Sequence, residues 1–301
     1  MKVLVTGASG YIGSHLCKRL SEMEWQWAAL ARRGASSNHR IPRAGHIFEC
    51  DPGTEATYID KFRPQVVVHC ATLFIAQHCA SQIPALVESN IGFGLRVLNA
   101  LDTKSTAFIN LGSGWQNSDS HGQMTAPRSL YAATKQVFED LAKYYCSSRR
   151  LGFLTLKLTD TYGPLDWRGK IVSKLITRAV RREMAPLPMS GGAQRMNLLH
   201  VDDVVAGIVR GIDAAIDLRD TGQFLSRTLL PRATISPREL VSVLRAVRPD
   251  LPFEVEFGAL QDRPMDAGPS ISGVVLEEWS PQIELPEGLR LAIRAEEIKP
   301  G

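Results

Sequence analysis

The chain has 301 residues, of which 44% are hydrophobic, 22% charged and 7% aromatic. Those shares exclude a disordered, collagen-like or coiled-coil chain, and the length supplies a core that needs no covalent staples. The formal net charge is only +4, and the basic residues fall in scattered pairs (Arg32-Arg33, Arg149-Arg150, Arg181-Arg182), so no nucleic-acid partner is expected, whereas a small anion held by a few cations in one cleft is. In chain order, a strand over 2–6 leads into a helix over 11–21. Strands over 25–31 and 46–50 follow, then a helix over 55–62 and a nearly all-apolar strand over 65–71, as befits a strand buried on both faces. A long helix is expected over 83–101, a strand over 107–111, a helix over 130–149 with apolar residues at helical spacing, and a strand over 153–158. This alternation predicts βαβ units and a Rossmann-type, doubly wound α/β fold with a parallel sheet. We place a dinucleotide-binding domain over 1–164 and a smaller lobe over 165–301. Part of the latter, about 195–212, is expected to pack back on the sheet. Ser236-Pro237-Arg238-Glu239 has the residues of a helix start, with Ser at the N-cap, Pro next and Glu at the third position.

Five cysteines (Cys17, Cys50, Cys70, Cys79 and Cys146) without CxxC spacing argue against a disulfide framework or a zinc module. They suit a reducing cytoplasm. No apolar run reaches the roughly 20 residues of a membrane helix, so no membrane partner is expected. The opening Met1-Lys2-Val3-Leu4-Val5 meets Gly7 without the apolar region of a secretory signal.

The first strand runs into Thr6-Gly7-Ala8-Ser9-Gly10-Tyr11-Ile12-Gly13. Between a strand and a helix, Gly7 allows a tight turn, Gly10 lets the backbone approach a pyrophosphate, and Gly13 lets the helix pack on the sheet. The helix N-terminus then offers free N–H groups and the positive end of a dipole. The second strand ends in Ala31-Arg32-Arg33, where an NAD site usually carries Asp or Glu. Arg32 and Arg33, with Ser36 nearby, point instead to a 2′-phosphate and hence NADP(H).

Tyr131 and Lys135 lie four apart on a helical segment and share a face. A phenol with an ordinary pKa of about 10 carries protons poorly at neutral pH, and the nearby ammonium is expected to lower it. Ser113, at the carboxyl edge of the fifth strand, is the candidate to bind a substrate oxygen.

With TGASGYIG at 6–13, Asp51 after the third strand, YAATK at 131–135, TYGP at 161–164 and NLLHVDDVV at 197–205, the chain resembles the extended short-chain dehydrogenase/reductase family of the NAD-dependent epimerase/dehydratase type. The resemblance implies that Tyr131 transfers a proton, Lys135 orients the cofactor ribose, Ser113 binds the substrate oxygen and Asp51 holds the adenine amino group. It also implies cofactor contacts from Ser9, Tyr11, Ile12, Cys70, Ala71 and Thr72, a nucleotide-diphosphate sugar as substrate, and a homodimer built on the helices near 83–101 and 130–149. Within the family, YAATKQVFEDLAKYY at 131–145, LKLTDTYGP at 156–164 and FGALQDRP at 257–264 are similar to the CDP-abequose and CDP-paratose synthase group, which reduces a 4-keto-dideoxysugar.

Gly114-Trp115-Gln116 follows Ser113, where a 4,6-dehydratase typically has an acidic pair. The expected activity is therefore NADPH-dependent reduction of the C4 keto group of a CDP- or dTDP-linked deoxysugar. The nearest rival is a 4-epimerase with tightly held NAD, and a rival of another class is a non-catalytic NADP sensor. Trp115, Asp160, Lys170, Arg195 and Arg263 are the substrate-binding candidates, with Arg168 beside them. His200, Asp202 and Asp203 read as structural, since acidic residues at a helix start suit the dipole. Nothing in the spacing implies a metal.

Overall fold

In the computed structural model, which describes residues 1–34, 40–117, 126–262 and 271–299, the strands and helices of the first half alternate as the pattern predicts. They are β1 (Lys2–Thr6), α1 (Tyr11–Glu22), β2 (Gln26–Arg32), β3 (His46–Cys50), α2 (Glu55–Phe62), β4 (Val66–His69), α3 (Ile83–Val87), α4 (Phe93–Asn99), β5 (Ala107–Ser113), α5 (Leu130–Arg149) and β6 (Phe153–Leu158). After them come β7 (Asp160–Tyr162), α6 (Ile171–Arg181), β8 (Leu187–Met189), β9 (Leu198–His200), α7 (Val201–Asp217), β10 (Phe224–Thr228), α8 (Pro237–Val247), β11 (Val255–Phe257) and α9 (Leu285–Ile298).

Seven strands form one parallel sheet in the order β10-β6-β5-β4-β1-β2-β3. The fold is a Rossmann-type α/β sheet. Its strand order reverses between β1 and β4, so the carboxyl ends of these strands frame the crevice in which such sheets bind ligands. Both faces are covered. Leu16 and Leu20 of α1 and Val204, Ile208 and Ile212 of α7 bury one face, and Ile59, Phe62, Val97, Leu98 and Phe138 bury the other. That α7 packs on the sheet follows from its apolar face. A separate core joins α6, α8 and α9 through Leu175, Ile176, Leu240, Leu244, Leu289 and Ile293. The start of α8 closes as its residues require: Ser236 Oγ accepts from Glu239 N–H at 3.2 Å, and Glu239 Oε2 accepts from Ser236 N–H at 2.7 Å.

Two features differ from the sequence expectation. The helix over 83–101 is interrupted by a wide π-turn over Glu88–Gly92. The interruption has a tertiary cause: buried Asn90 accepts from Thr72 Oγ1 at 3.0 Å and Leu73 N at 2.7 Å, and donates to Leu73 O at 3.1 Å and Thr134 Oγ1 at 2.9 Å. Such turns recur at functional sites. The seventh strand, β10, lies in the part whose pattern is irregular, because an edge strand carries no continuous apolar run. Among the described residues, no helix is long and apolar enough to cross a membrane.

Candidate active site

The glycine loop holds its shape by close backbone approach. Gly7 has φ +69°, and a Cβ there would lie 2.6 Å from Ala71 N; one on Gly13 would lie 2.2 Å from Gly7 O. Gly10 caps α1 with no side-chain hydrogen bond, and the first turn carries no acidic residue. The helix N-terminus is therefore free to bind an anion. Thr6 Oγ1 accepts from Ala71 N at 3.2 Å and lies 2.9 Å from His69 Nδ1, tying the ends of β1 and β4 together. Burial pushes His69 down to about 3, with the Lys135 charge adding to the effect, so this ring is neutral at physiological pH.

At the end of β2 the two arginines differ. Arg32 is exposed and makes no ion pair among the described residues. Arg33 grips Asp51 through Nε at 2.7 Å and through Nη2, both side chains being exposed. This bond holds the Asp51 carboxyl below its ordinary range. Arg33 and Asp51 thus occupy each other, whereas the sequence reading sent one to a 2′-phosphate and the other to an adenine. The physical reason is register: Arg32 pairs with Cys50 across parallel β2 and β3, so the next residues on both strands meet. Ser36 lies outside the described residues.

From this end a cavity of about 1020 Å³ runs past Ser9, Tyr11, Ile12, Cys70, Ala71 and Thr72 to Ser113 and Tyr131. Ser129 Oγ caps α5 by accepting from Ala132 N–H at 3.2 Å, which starts the helix so that Tyr131 lies in its first turn. The Thr72 and Ser113 side chains stand near the Tyr131 hydroxyl and favour its phenolate. Burial nevertheless pushes the phenol up to about 12, with those side chains and the Arg168 charge pulling the other way. The expected lowering by Lys135 is not found: desolvation raises the phenol, and the opposing charge is that of Arg168. One turn further, Lys135 is 2% exposed. Burial lowers it to about 8, opposed by Cys70 and Glu139. It does not line the cavity but lies behind it, with no hydrogen bond to a described residue.

Beyond Tyr131 the cavity is lined by Phe74, Trp115, Asp160, Trp167, Arg168 and Lys170. The rings of Phe74 and Tyr131 meet edge to face at 4.9 Å, and Trp115 lies 5.8 Å from Phe74. Lys170 Nζ stands 5.3 Å over the Phe74 ring; burial lowers its pKa against the opposing charge of Asp160. Arg168 is held by Asp166 at 2.7 and 2.8 Å and stacks 4.1 Å over Tyr11. Arg195 lies elsewhere, bonded to Glu239 Oε2 at 2.6 Å and to Thr234, and it does not line this cavity. Arg263 is outside the described residues. His200 caps α7 by accepting from Asp202 N, and Asp203 accepts from Gln282 N at 2.9 Å and Ile283 N at 3.0 Å, tying that segment to the helix start. Sequence reasoning missed Asn90 and Phe74, whose roles need the folded loop after β4. It also missed the buried Glu139.

Residues 3–221 match the model of the NAD dependent epimerase/dehydratase family. The chain belongs to that family. It is 22% identical over 296 residues to a CDP-abequose synthase of Salmonella typhimurium, with 95% of each chain covered. It is 27% identical over 232 residues to one of Yersinia pseudotuberculosis, covering 76% of this chain and 77% of the other. The fold matches a UDP-glucose 4-epimerase of Thermotoga maritima with UDP-glucose, at TM-score 0.82 and 19% identity over 98% of both chains. It also matches one of Thermus thermophilus with NAD, at TM-score 0.81 and 21% identity over 98% of this chain and 99% of the other.

The residues fit a nicotinamide dinucleotide. An uncapped helix N-terminus follows a loop in which a Cβ on Gly7 or Gly13 would meet backbone, and the Lys135 ammonium, without a hydrogen bond to a described residue, lies one helical turn beyond Tyr131. Gly7, Gly10 and Gly13 would hold the pyrophosphate, and Lys135 the ribose next to the ring.

Proposed function

We propose that this protein reduces the C4 keto group of a nucleotide-linked 4-keto-6-deoxy or 3,6-dideoxy sugar, with NADPH as reductant. The observation that carries the reading is Tyr131. It is a protonated phenol that shares with Ser113 and Thr72 a cavity continuous with the glycine loop. When bound, the dinucleotide supplies the hydride. The Tyr131 hydroxyl then donates its proton to the C4 oxygen as general acid. Ser113 donates a hydrogen bond to the same oxygen and stabilises its developing charge. A neutral phenol is the form that can donate a proton in a reduction. Below about pH 8 Lys135 is cationic, suited to orient a ribose hydroxyl.

Two further observations support the class of substrate. Lys170 and Arg168 bring positive charge to the cavity beside Phe74 and Trp115, a wall suited to a sugar bearing a phosphate anion. Gln116, next but two after Ser113, is folded away from the cavity, with Oε1 on Ser113 N at 2.7 Å and Nε2 on Glu139 at 2.8 Å. Gly114-Trp115-Gln116, directly after Ser113, thus offers no acid or base to remove water from the sugar. The names of the two CDP-abequose synthases favour CDP over dTDP as the carrier. The free Arg32 and the lack of a carboxylate at the end of β2 favour NADPH.

The test is oxidation of NADPH by the purified protein with CDP- and dTDP-4-keto-6-deoxyglucose and the CDP-linked 4-keto-3,6-dideoxy sugar, with NADH as the control. Turnover with NADPH is expected. No turnover with any of them, together with NAD retained through purification and C4 epimerisation of a nucleotide sugar, would replace the reductase by an epimerase.

A further inference from the structure

We propose that Glu139 is a positioning residue for this reaction: its carboxylate, sealed behind the site, sets the Gln116 amide against the Ser113 backbone and holds Lys135 as an ammonium. The inference rests on the roles given above to Ser113, Tyr131 and Lys135.

Glu139 stands four residues beyond Lys135 and eight beyond Tyr131, on the same buried face of α5. It is 2% exposed and does not line the cavity, so substrate does not reach it. A carboxylate in such a place is costly unless its oxygens are bonded and its charge is matched. Gln116 Nε2 donates to Oε1 at 2.8 Å. Burial raises the Glu139 carboxyl above its ordinary range, and Lys157 from β6, Gln116, the nearby Thr155 side chain and Lys135 pull it back toward the carboxylate.

The consequence for Ser113 follows from the chemistry of an amide. A carboxylate only accepts hydrogen bonds, so it turns the NH₂ of Gln116 toward itself. The Gln136 carbonyl oxygen, 3.1 Å from Nε2, reinforces that choice. The Gln116 oxygen is thereby left facing Ser113 N–H at 2.7 Å. Ser113 Oγ accepts from Trp115 N at 3.2 Å, closing the turn. The network fits only because Gly112 is bare: a Cβ there would lie 2.8 Å from Gln116 Oε1 and 3.0 Å from Glu139 Oε1.

The charge acts on Lys135. Glu139 faces Lys135 on its own helix and Lys157 across from β6. Lys135 faces Glu139, the Cys70 thiol and the His69 ring at the end of β4; Tyr131 faces Arg168. Among these groups Glu139 is a carboxylate that favours the Lys135 cation, and desolvation works against it.

The test is Glu139→Gln, which keeps the shape and removes the charge. In the wild type, kcat should fall as pH rises through the Lys135 titration near 8. In Glu139→Gln this alkaline limb should move to lower pH by roughly one unit, the size of a neighbouring-charge effect. The pH dependence of dinucleotide affinity, read from tryptophan fluorescence, should move with it. Gln116→Ala should lower kcat roughly 10- to 100-fold through the displaced serine and leave the limb where it is. Glu139→Asp keeps the charge, so its limb should stay in place while kcat drops; it decides the matter if Glu139→Gln does not fold. Limbs and binding profiles that coincide for wild type and Glu139→Gln, or full kcat in Gln116→Ala, would overturn the proposal. If the wild type reduces none of the ketosugars, the reductase reading fails by itself, and the binding profiles still decide the role of Glu139.

Discussion

The glycine-loop end of the cavity is made of backbone from one stretch, residues 6–13, closed against Ala71. The reactive end is made of side chains that arrive separately: Thr72 after β4, Ser113 at the end of β5, Tyr131 in the first turn of α5, and Arg168 and Lys170 before α6. A site of backbone tolerates almost no added volume. A site of side chains depends instead on what keeps each group at its angle and charge, here Asn90 beneath Thr72 and Glu139 behind Ser113. Damage at the two ends should accordingly separate into lost binding and lost turnover.

The largest effect is expected at Tyr131. Tyr131→Phe removes the hydroxyl and keeps the ring against Phe74. Loss of a general acid costs roughly 10²–10⁴-fold in rate, so kcat should fall by that order while dinucleotide affinity stays near the wild-type value. Equal losses in both, measured by saturation kinetics and direct titration, would mean that the two ends are not separable.

Gly13→Ala tests the other end. The new methyl would lie 2.2 Å from Gly7 O and 2.9 Å from Ala8 Cα, both backbone atoms, so the loop must shift. Overpacking of this kind costs about 1–3 kcal/mol. With tenfold for every 1.4 kcal/mol, dinucleotide affinity should weaken by roughly 10- to 100-fold, with kcat at saturation largely kept. Unchanged affinity in a calorimetric titration would show that the loop does not carry the pyrophosphate.

The contrast also explains what could be read in advance. The bounds of β3, α2, α5 and β6 coincide with the periodic segments, because each buries a regular face. The glycine loop is legible because its constraint is local. At the reactive end Tyr131, Lys135 and Ser113 are legible through their spacing or strand end, and Trp115, Asp160, Arg168 and Lys170, read as substrate-binding candidates, line the same cavity. Asn90 opens α3–α4 into a π-turn for the sake of Thr72 and Leu73, partners far away in sequence. Arg33 meets Asp51 because parallel strands lie side by side, a fact of register that composition does not contain. Glu139 would read as an ordinary helical surface acid until α5 is docked and that face is closed.

The smallest effect concerns the choice between the two dinucleotides, and it turns on Arg32. Asp51 already engages Arg33, so Arg32 is the cation at the end of β2 that is left to meet a 2′-phosphate. A hydrogen bond to a charged group is worth about 1.5–3 kcal/mol when well formed. An exposed ion pair is worth less, about 0–1 kcal/mol. Because Arg32 is exposed, Arg32→Ala should weaken NADPH by about tenfold at most, and should leave NADH, which has only a hydroxyl there, unchanged. Salt should erase the difference, since solvent-exposed charges are screened within about 8 Å at physiological ionic strength. A parallel loss for both cofactors would instead make Arg32 a support for the loop, and would leave the neighbouring Arg33–Asp51 pair, opened by Arg33→Ala, as the place to look for the discrimination.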